Sequence, residues 1–228
     1  MTDQPSEGPS QPAGEPADFT RVRRLPELQS TDVADLHDVL DSALVAHVGL
    51  VMDGRPFVLP MAYARDGDRV LLHGSTGSRL FLALRDGAEV CFSVTVLDGL
   101  VLARSAFESS MGYRSAMVFG SCVPVEGEAR LRAFERLTER LLPGRWADVR
   151  QPNAKELAAT AMLELPLSSW SVKISSDDPA DSPEDLHTDY WAGTVPLLRM
   201  WGEPVPAEDL KAGVPIPDYI AKWRHGGA

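Results

Sequence analysis

Two Asp-Gly pairs, Asp53-Gly54 and Asp66-Gly67, each stand between runs rich in β-branched and other apolar residues. Such a pair tolerates the positive φ angles of a tight hairpin turn, so each predicts a reversal between antiparallel neighbours. Residues 43–52, 56–64 and 69–73 therefore read as a three-stranded meander. Residues 88–97 alternate, with Val90, Phe92, Val94 and Val96 on one side, as a half-buried strand should. Asp98-Gly99 predicts a break before the run resumes at 100–103. Further strands are expected at 116–125 and 169–174. Helical spacing is found at 31–40, capped by Ser30 or Thr31, in a short run at 80–84, at 128–142 and at 153–163. The fold class is mainly β with flanking helices, built on six or more antiparallel strands.

The 228-residue chain carries a net charge of -11, and no basic patch offsets it, so nucleic-acid binding is not expected. Residues 1–17 are rich in Pro, Gly, Ser and Glu and too poor in apolar side chains to fold, which predicts a disordered tail. They lack the apolar core of a signal peptide, and no stretch is long enough to span a bilayer; the expected location is the cytoplasm, without membrane association. Cys91 and Cys122 lie in strand-like runs without metal-ligand spacing, and the five histidines never pair at such spacing, so no metal site is expected. The main domain should span residues 18–175. Residues 176–228, with Trp191, Trp201 and Trp223, form an extended segment expected to wrap the barrel or a partner subunit.

One loop carries chemistry. His73-Gly74-Ser75-Thr76-Gly77-Ser78-Arg79 joins a strand to a short helix, and its small residues, hydroxyls, arginine and following helix start suit an anion, most simply a phosphate. It lacks the Gly-Lys-Ser/Thr ending of a nucleotide-triphosphatase loop, the Gly-x-Gly-x-x-Gly of a dinucleotide fold and the Gly-x-Ser-x-Gly of a nucleophile elbow. Pro60 interrupts the second meander strand, which places it at an edge, a bulge or a point where a ligand meets the backbone. His47, on the first strand, reads as an ordinary core or surface histidine.

The sequences Pro56-Phe57-Val58-Leu59-Pro60-Met61-Ala62-Tyr63, Leu71-Leu72-His73-Gly74 with Ser78-Arg79, residues 98–105, Tyr113-Arg114-Ser115 and Asp189-Tyr190-Trp191-Ala192-Gly193 together resemble the pyridoxamine 5'-phosphate oxidase-related, FMN-binding split-barrel family, in its nitroimidazole-reductase-like branch. The resemblance implies a split β-barrel in which the backbone of Val58, Leu59, Pro60 and Met61 faces the polar edge of the flavin. It implies that Gly74, Ser75, Ser78 and Arg79 hold the FMN phosphate, with Tyr63 where the oxidases carry a phosphate-binding lysine. Arg114 and Ser115 would complete the site, Trp191 would cross to it from a partner subunit, and the protein would be a homodimer with flavin at the interface. His73 would lie close to the flavin as a candidate catalytic acid. The implied function is an FMN-dependent oxidoreductase passing electrons from a reduced nicotinamide to a small organic acceptor; the alternative is a non-catalytic flavin, haem or F420 protein.

Overall fold

The computed structural model describes residues 18–176 and 178–223. Ten strands form one antiparallel sheet: β1 (Gln29–Ser30), β2 (Val45–Met52), β3 (Arg55–Arg65), β4 (Arg69–Ser75), β5 (Glu89–Leu102), β6 (Ser110–Ser121), β7 (Val123–Pro124), β8 (Thr160–Pro166), β9 (Trp170–Ser175) and β10 (Gly193–Pro196). Their order is β1-β9-β6-β5-β2-β3-β4-β8-β7, with β10 added beside β5. Five helices flank the sheet: α1 (Val33–Asp41), α2 (Arg79–Arg85), α3 (Ala129–Leu141), α4 (Ala154–Ala159) and α5 (Asp218–Ala221). The architecture is the mainly β split barrel that the sequence predicts; the tail at 1–17 lies outside the described residues.

The meander forms because both Asp53 (φ 52) and Gly54 (φ 71) adopt the left-handed conformation, so β2 and β3 pair without slack from Met52↔Arg55 to Val45↔Ala62. Alternation then sends Ala46, Val48 and Leu50 inward, with Phe92, Val94 and Val118 from neighbouring strands and Leu36, Val39 and Leu40 from α1. Phe81 and Leu84 of α2 close the same core. A smaller cluster, Ala64, Leu71 and Met162, is covered by Ala133 and Leu137 of α3.

Three expectations need correction. Asp98-Gly99 does not break the fifth strand; β5 runs through it with a bulge between Leu97 and Gly99, because β6 on one side and β10 on the other keep it paired. The helix expected over 153–163 ends at Ala159, after a capping box between Asn153 and Glu156. Residues 160–166 become a strand instead, since β4 needs a partner along its whole length, from Arg69↔Pro166 to Ser75↔Thr160. Finally, α1 is capped by Asp32, whose carboxylate accepts from Ala34 N–H, rather than by Ser30 or Thr31.

The C-terminal segment lies along its own barrel. Asp181, nearly inaccessible, accepts from the backbone N–H of Arg104 at 2.6 Å and from its guanidinium at 2.7 Å. A few residues on, β10 pairs with Gly99–Leu102.

Candidate functional site

The site grows from an asymmetry in β3. From Arg55 to Ala62 the strand has β2 on one side, yet β4 covers only Tyr63–Arg65 on the other. Residues 55–61 therefore present a backbone edge without a strand partner among the described residues. Pro56 and Pro60 fall on this stretch, where a missing N–H costs no ladder bond. Side chains alternate across it: Val58 and Pro60 face outward, Val58 being 66% exposed, whereas Leu59 and Met61 pack against the core. The edge is thus free to meet a ligand through its main chain.

The 73–79 loop is brought to the beginning of this edge. The Arg79 guanidinium stands 5.9 Å from the centre of the Phe57 ring and 3.0 Å from the Asp53 carboxylate in the β2–β3 turn. Gly74 is required by packing, because a Cβ there would lie 2.2 Å from the Phe81 ring. The loop differs from a backbone anion cradle: Thr76 N–H donates to Ala159 C=O, Ser78 N–H to Ser75 C=O and Gly77 N–H to Ser75 Oγ. These donors are consumed in tying the loop to the end of α4 and to itself, and α2, at seven residues, receives no side-chain cap from Ser78. What remains for an anion is the Arg79 guanidinium with the hydroxyl of Ser78. The Arg79–Asp53 pair is largely exposed, 69% and 85%, and such pairs contribute about 0–1 kcal/mol, so an anion can compete for the arginine.

Tyr63 belongs to the core and not to this site. Its ring is fully buried edge-on to Phe92, with centroids 5.0 Å apart, its hydroxyl donates to Leu40 C=O, and burial pushes the phenol well above its usual range. It cannot stand in for a phosphate-binding lysine while so placed. Arg114 is also engaged: it bridges Asp98 at 3.0 Å and Asp38 at 2.5 Å, tying β6 to α1, and the Asp98 hydrogen bond raises its pKa further. Of the acids of α1, Asp38 is the one that holds this bridge. Ser115 sits opposite Thr95 on the outward face, and Trp191 is 66% exposed beside β10. The structure therefore brings Val58–Met61, Ser78 and Arg79 together and leaves Arg114, Ser115 and Trp191 at a different part of the sheet.

His73 occupies β4 opposite Met162. Its Nδ1 is buried without a hydrogen-bond partner, and that desolvation lowers its pKa from the ordinary 6.5, so the ring is neutral at pH 7. The sign follows from linkage: above pH 6.5 the ring is neutral folded or unfolded, and below it the unfolded chain binds the proton more readily, so stability falls with pH. His73→Gln should flatten the acid limb of the stability curve below about pH 6.5, measured by urea unfolding across pH; an acid limb identical to wild type would show that burial of His73 does not contribute to it.

Two cavities open on the outward face of the sheet. One, of about 600 Å³, is lined by Gly49, Phe57, Val58, Cys91 and Phe119 and adjoins the free edge of β3. The other, of about 560 Å³, lies between His47 and Thr95 of the sheet and Arg199, Trp201 and Trp223 of the C-terminal segment. Sequence reasoning passed over His47 and the second cavity. The signal was available in the parity of β2, since Ala46, Val48 and Leu50 point inward and His47 must point out.

The barrel is thus split along one strand edge, with an arginine at the end of the split. Residues 32–174 match the profile described as pyridoxamine 5'-phosphate oxidase, and the chain belongs to that family. The chain is 44% identical to the FAD and haem binding protein from Mycobacterium smegmatis, with a TM-score of 0.84 over 86% of this chain and 97% of that one. It is 38% identical to the flavocytochrome Anf3 from Azotobacter vinelandii, with a TM-score of 0.87 over 92% and 99%. A 5-nitroimidazole antibiotic resistance protein from Bacteroides thetaiotaomicron shares the fold at 20% identity, with a TM-score of 0.54 over 64% of this chain and 86% of that one. No curated protein matches the sequence. Among the described residues, no helix is long and apolar enough to cross a membrane.

Proposed function

We propose that this chain is a flavoprotein, and that the flavin ring lies against the free edge of β3 with its phosphate at Arg79. The observation that carries the reading is the unpaired backbone of residues 55–61 ending at the Arg79–Asp53 pair, in a family whose similar members include an FAD and haem binding protein. The fit is chemical as well as spatial. A flavin offers carbonyls and an N–H along one ring edge to an open main chain, an apolar ring face to Val58, and a phosphate to a guanidinium. Isoalloxazine supplies the redox chemistry when bound; the protein's contribution is orientation and exclusion of water. The sequence alone points to FMN, whereas the name of the similar Mycobacterium smegmatis protein favours FAD. Reduced nicotinamide as donor and a small organic molecule as acceptor complete the oxidoreductase reading. The buried, neutral His73 supports a hydrogen-bonding role there over that of an acid at pH 7.

Arg79→Ala should weaken FMN by about 1.5–3 kcal/mol, the range for a hydrogen bond to a charged group, and leave riboflavin, which has no phosphate, almost unchanged. Fluorescence titration of the two ligands decides it; equal losses would take Arg79 out of the phosphate site.

The outward face also supports a homodimer. Val51, Val58 and Met117 are exposed there around small residues, Gly49, Cys91 and Ser115, leaving apolar surface beside the edge where the flavin is placed. Light scattering should give twice the mass of the 24.8 kDa chain; a monomer that binds flavin would remove the shared interface.

A second reading adds haem. The specific observation is the His47 cavity, together with two similar proteins named for haem or as a flavocytochrome. The two cofactors are compatible, because the cavities take different parts of the sheet face.

A further inference from the structure

We propose that the cavity between β2 and the C-terminal segment is the haem site, with His47 supplying an axial nitrogen to the iron and Arg140 and Arg199 meeting the propionates. This rests on the second reading above and names, from this chain alone, the residues that would do the binding.

The electrostatics of the cavity are unlike those of the molecule. The chain has a net charge of -11, yet the cavity wall includes two arginines and no carboxylate. Two fixed cations facing an otherwise apolar space suit a ligand that is apolar in its body and doubly anionic at its edge. The walls match the body of such a ligand: Val45 and Leu44 from the sheet side, Trp201 and Trp223 from the C-terminal segment. The volume, about 560 Å³, is within the roughly 300–1,000 Å³ of cofactor pockets.

Arg140 is placed for the role before any ligand arrives. Its Nη2 donates to the carbonyls of Asp41 and Ala43, which fixes the guanidinium at the cavity wall, while its Nε is buried with no partner. Arg199 approaches from the C-terminal segment, so the two cations come from opposite walls.

His47 identifies the ligand as a metal complex. It is the only metal-ligating nitrogen on the cavity wall, and among the described residues no three His, Cys, Asp or Glu side chains gather around a common point. A metal held at His47 must therefore bring its other ligands with it, as iron in a porphyrin does. Flavin, also planar and anionic, has no use for a lone outward histidine. The row of side chains across the sheet at this level, Pro60, His47 and Ser93, leaves His47 standing alone above small neighbours. The flavin cavity begins at Gly49, two residues along the same strand and about 7 Å away. The two cavities share no lining residue.

The test is titration of full-length, flavin-loaded protein with ferric haem, followed through the Soret band and the flavin fluorescence. Wild type should give a shifted Soret band at stoichiometric haem with flavin retained. His47→Ala, a change on an exposed position that the fold tolerates, should lose that band position and recover it in part with added imidazole; His47→Met, which exchanges nitrogen for sulfur, should move it again. Arg199→Ala should weaken haem at least tenfold without moving the band. A Soret band identical in wild type, His47→Ala and His47→Met would overturn the assignment of the ligand. Haem that binds only by expelling flavin would overturn the separate site, while flavin binding that depends on Arg79 in the absence of any haem binding would leave the flavoprotein reading intact and remove this one.

Discussion

Gly74→Ala should destabilise the protein by about 3 kcal/mol or more, at the upper end of what overpacking a core costs. The new methyl group would stand 2.2 Å from the Phe81 ring, and this ring is 95% buried in the main core between α2 and the sheet. Either α2 moves away from β4 or the ring leaves its rotamer. Since Arg79 is the first residue of α2, the same displacement carries the guanidinium away from Phe57 and Asp53, so flavin affinity should fall together with stability. A double-mutant cycle isolates the contact. Phe81→Ala alone should cost about 3–5 kcal/mol, and adding Gly74→Ala to it should cost little more, because the atom it meets has gone. Urea unfolding measures all three variants; full additivity would show that the Gly74–Phe81 approach is not what constrains the loop.

Tyr63 gives the second large effect. Tyr63→Ala removes a fully buried ring that packs edge-on against Phe92, and should cost about 3–5 kcal/mol, the range for deleting a buried aromatic side chain. Tyr63→Phe keeps the ring and removes only the hydroxyl that donates to Leu40 C=O at the end of α1, for a loss of about 1–3 kcal/mol from the carbonyl left unpaired. The phenylalanine variant is the informative one for function. If Tyr63 is the core residue that the structure shows, flavin affinity is unchanged in the folded protein; if the hydroxyl served a phosphate, affinity for FMN would drop and affinity for riboflavin would not.

These two residues also show what the sequence made legible. The Asp-Gly turns and the alternation of 88–97 were enough to define the meander and the first part of the fifth strand, because hairpin geometry and strand parity are local; its continuation through Asp98-Gly99 depends on β6 and β10 and was not legible. Parity was available for Tyr63 as well: Leu59, Met61 and Tyr63 share one side of β3, and two of them are plainly apolar. The resemblance to a lysine position outweighed that local signal. For residues 160–166 the local signal was ambiguous, since a short apolar run with helical neighbours fits either element, and only the unpaired length of β4 decides it. The loop at 73–79 was visible because it is contiguous, yet its backbone donors proved to be spent on Ala159 and Ser75, a pairing no sequence pattern announces. The His47 cavity was legible only in parts. The parity of β2 turns His47 outward and the tryptophans of 176–228 predict a wrapping segment, but nothing in the sequence says that residues 199–201 and 223 come to lie over 42–47, Thr95 and Arg140.

The account stands on flavin binding at the free edge of β3, and the most direct test is the absorbance spectrum of the purified full-length protein after incubation with FMN or FAD and removal of excess. The account predicts a yellow protein with stoichiometric flavin, whose flavin fluorescence is altered on binding and whose FMN affinity depends on Arg79. A colourless protein that leaves the fluorescence of both flavins unchanged on titration would contradict it.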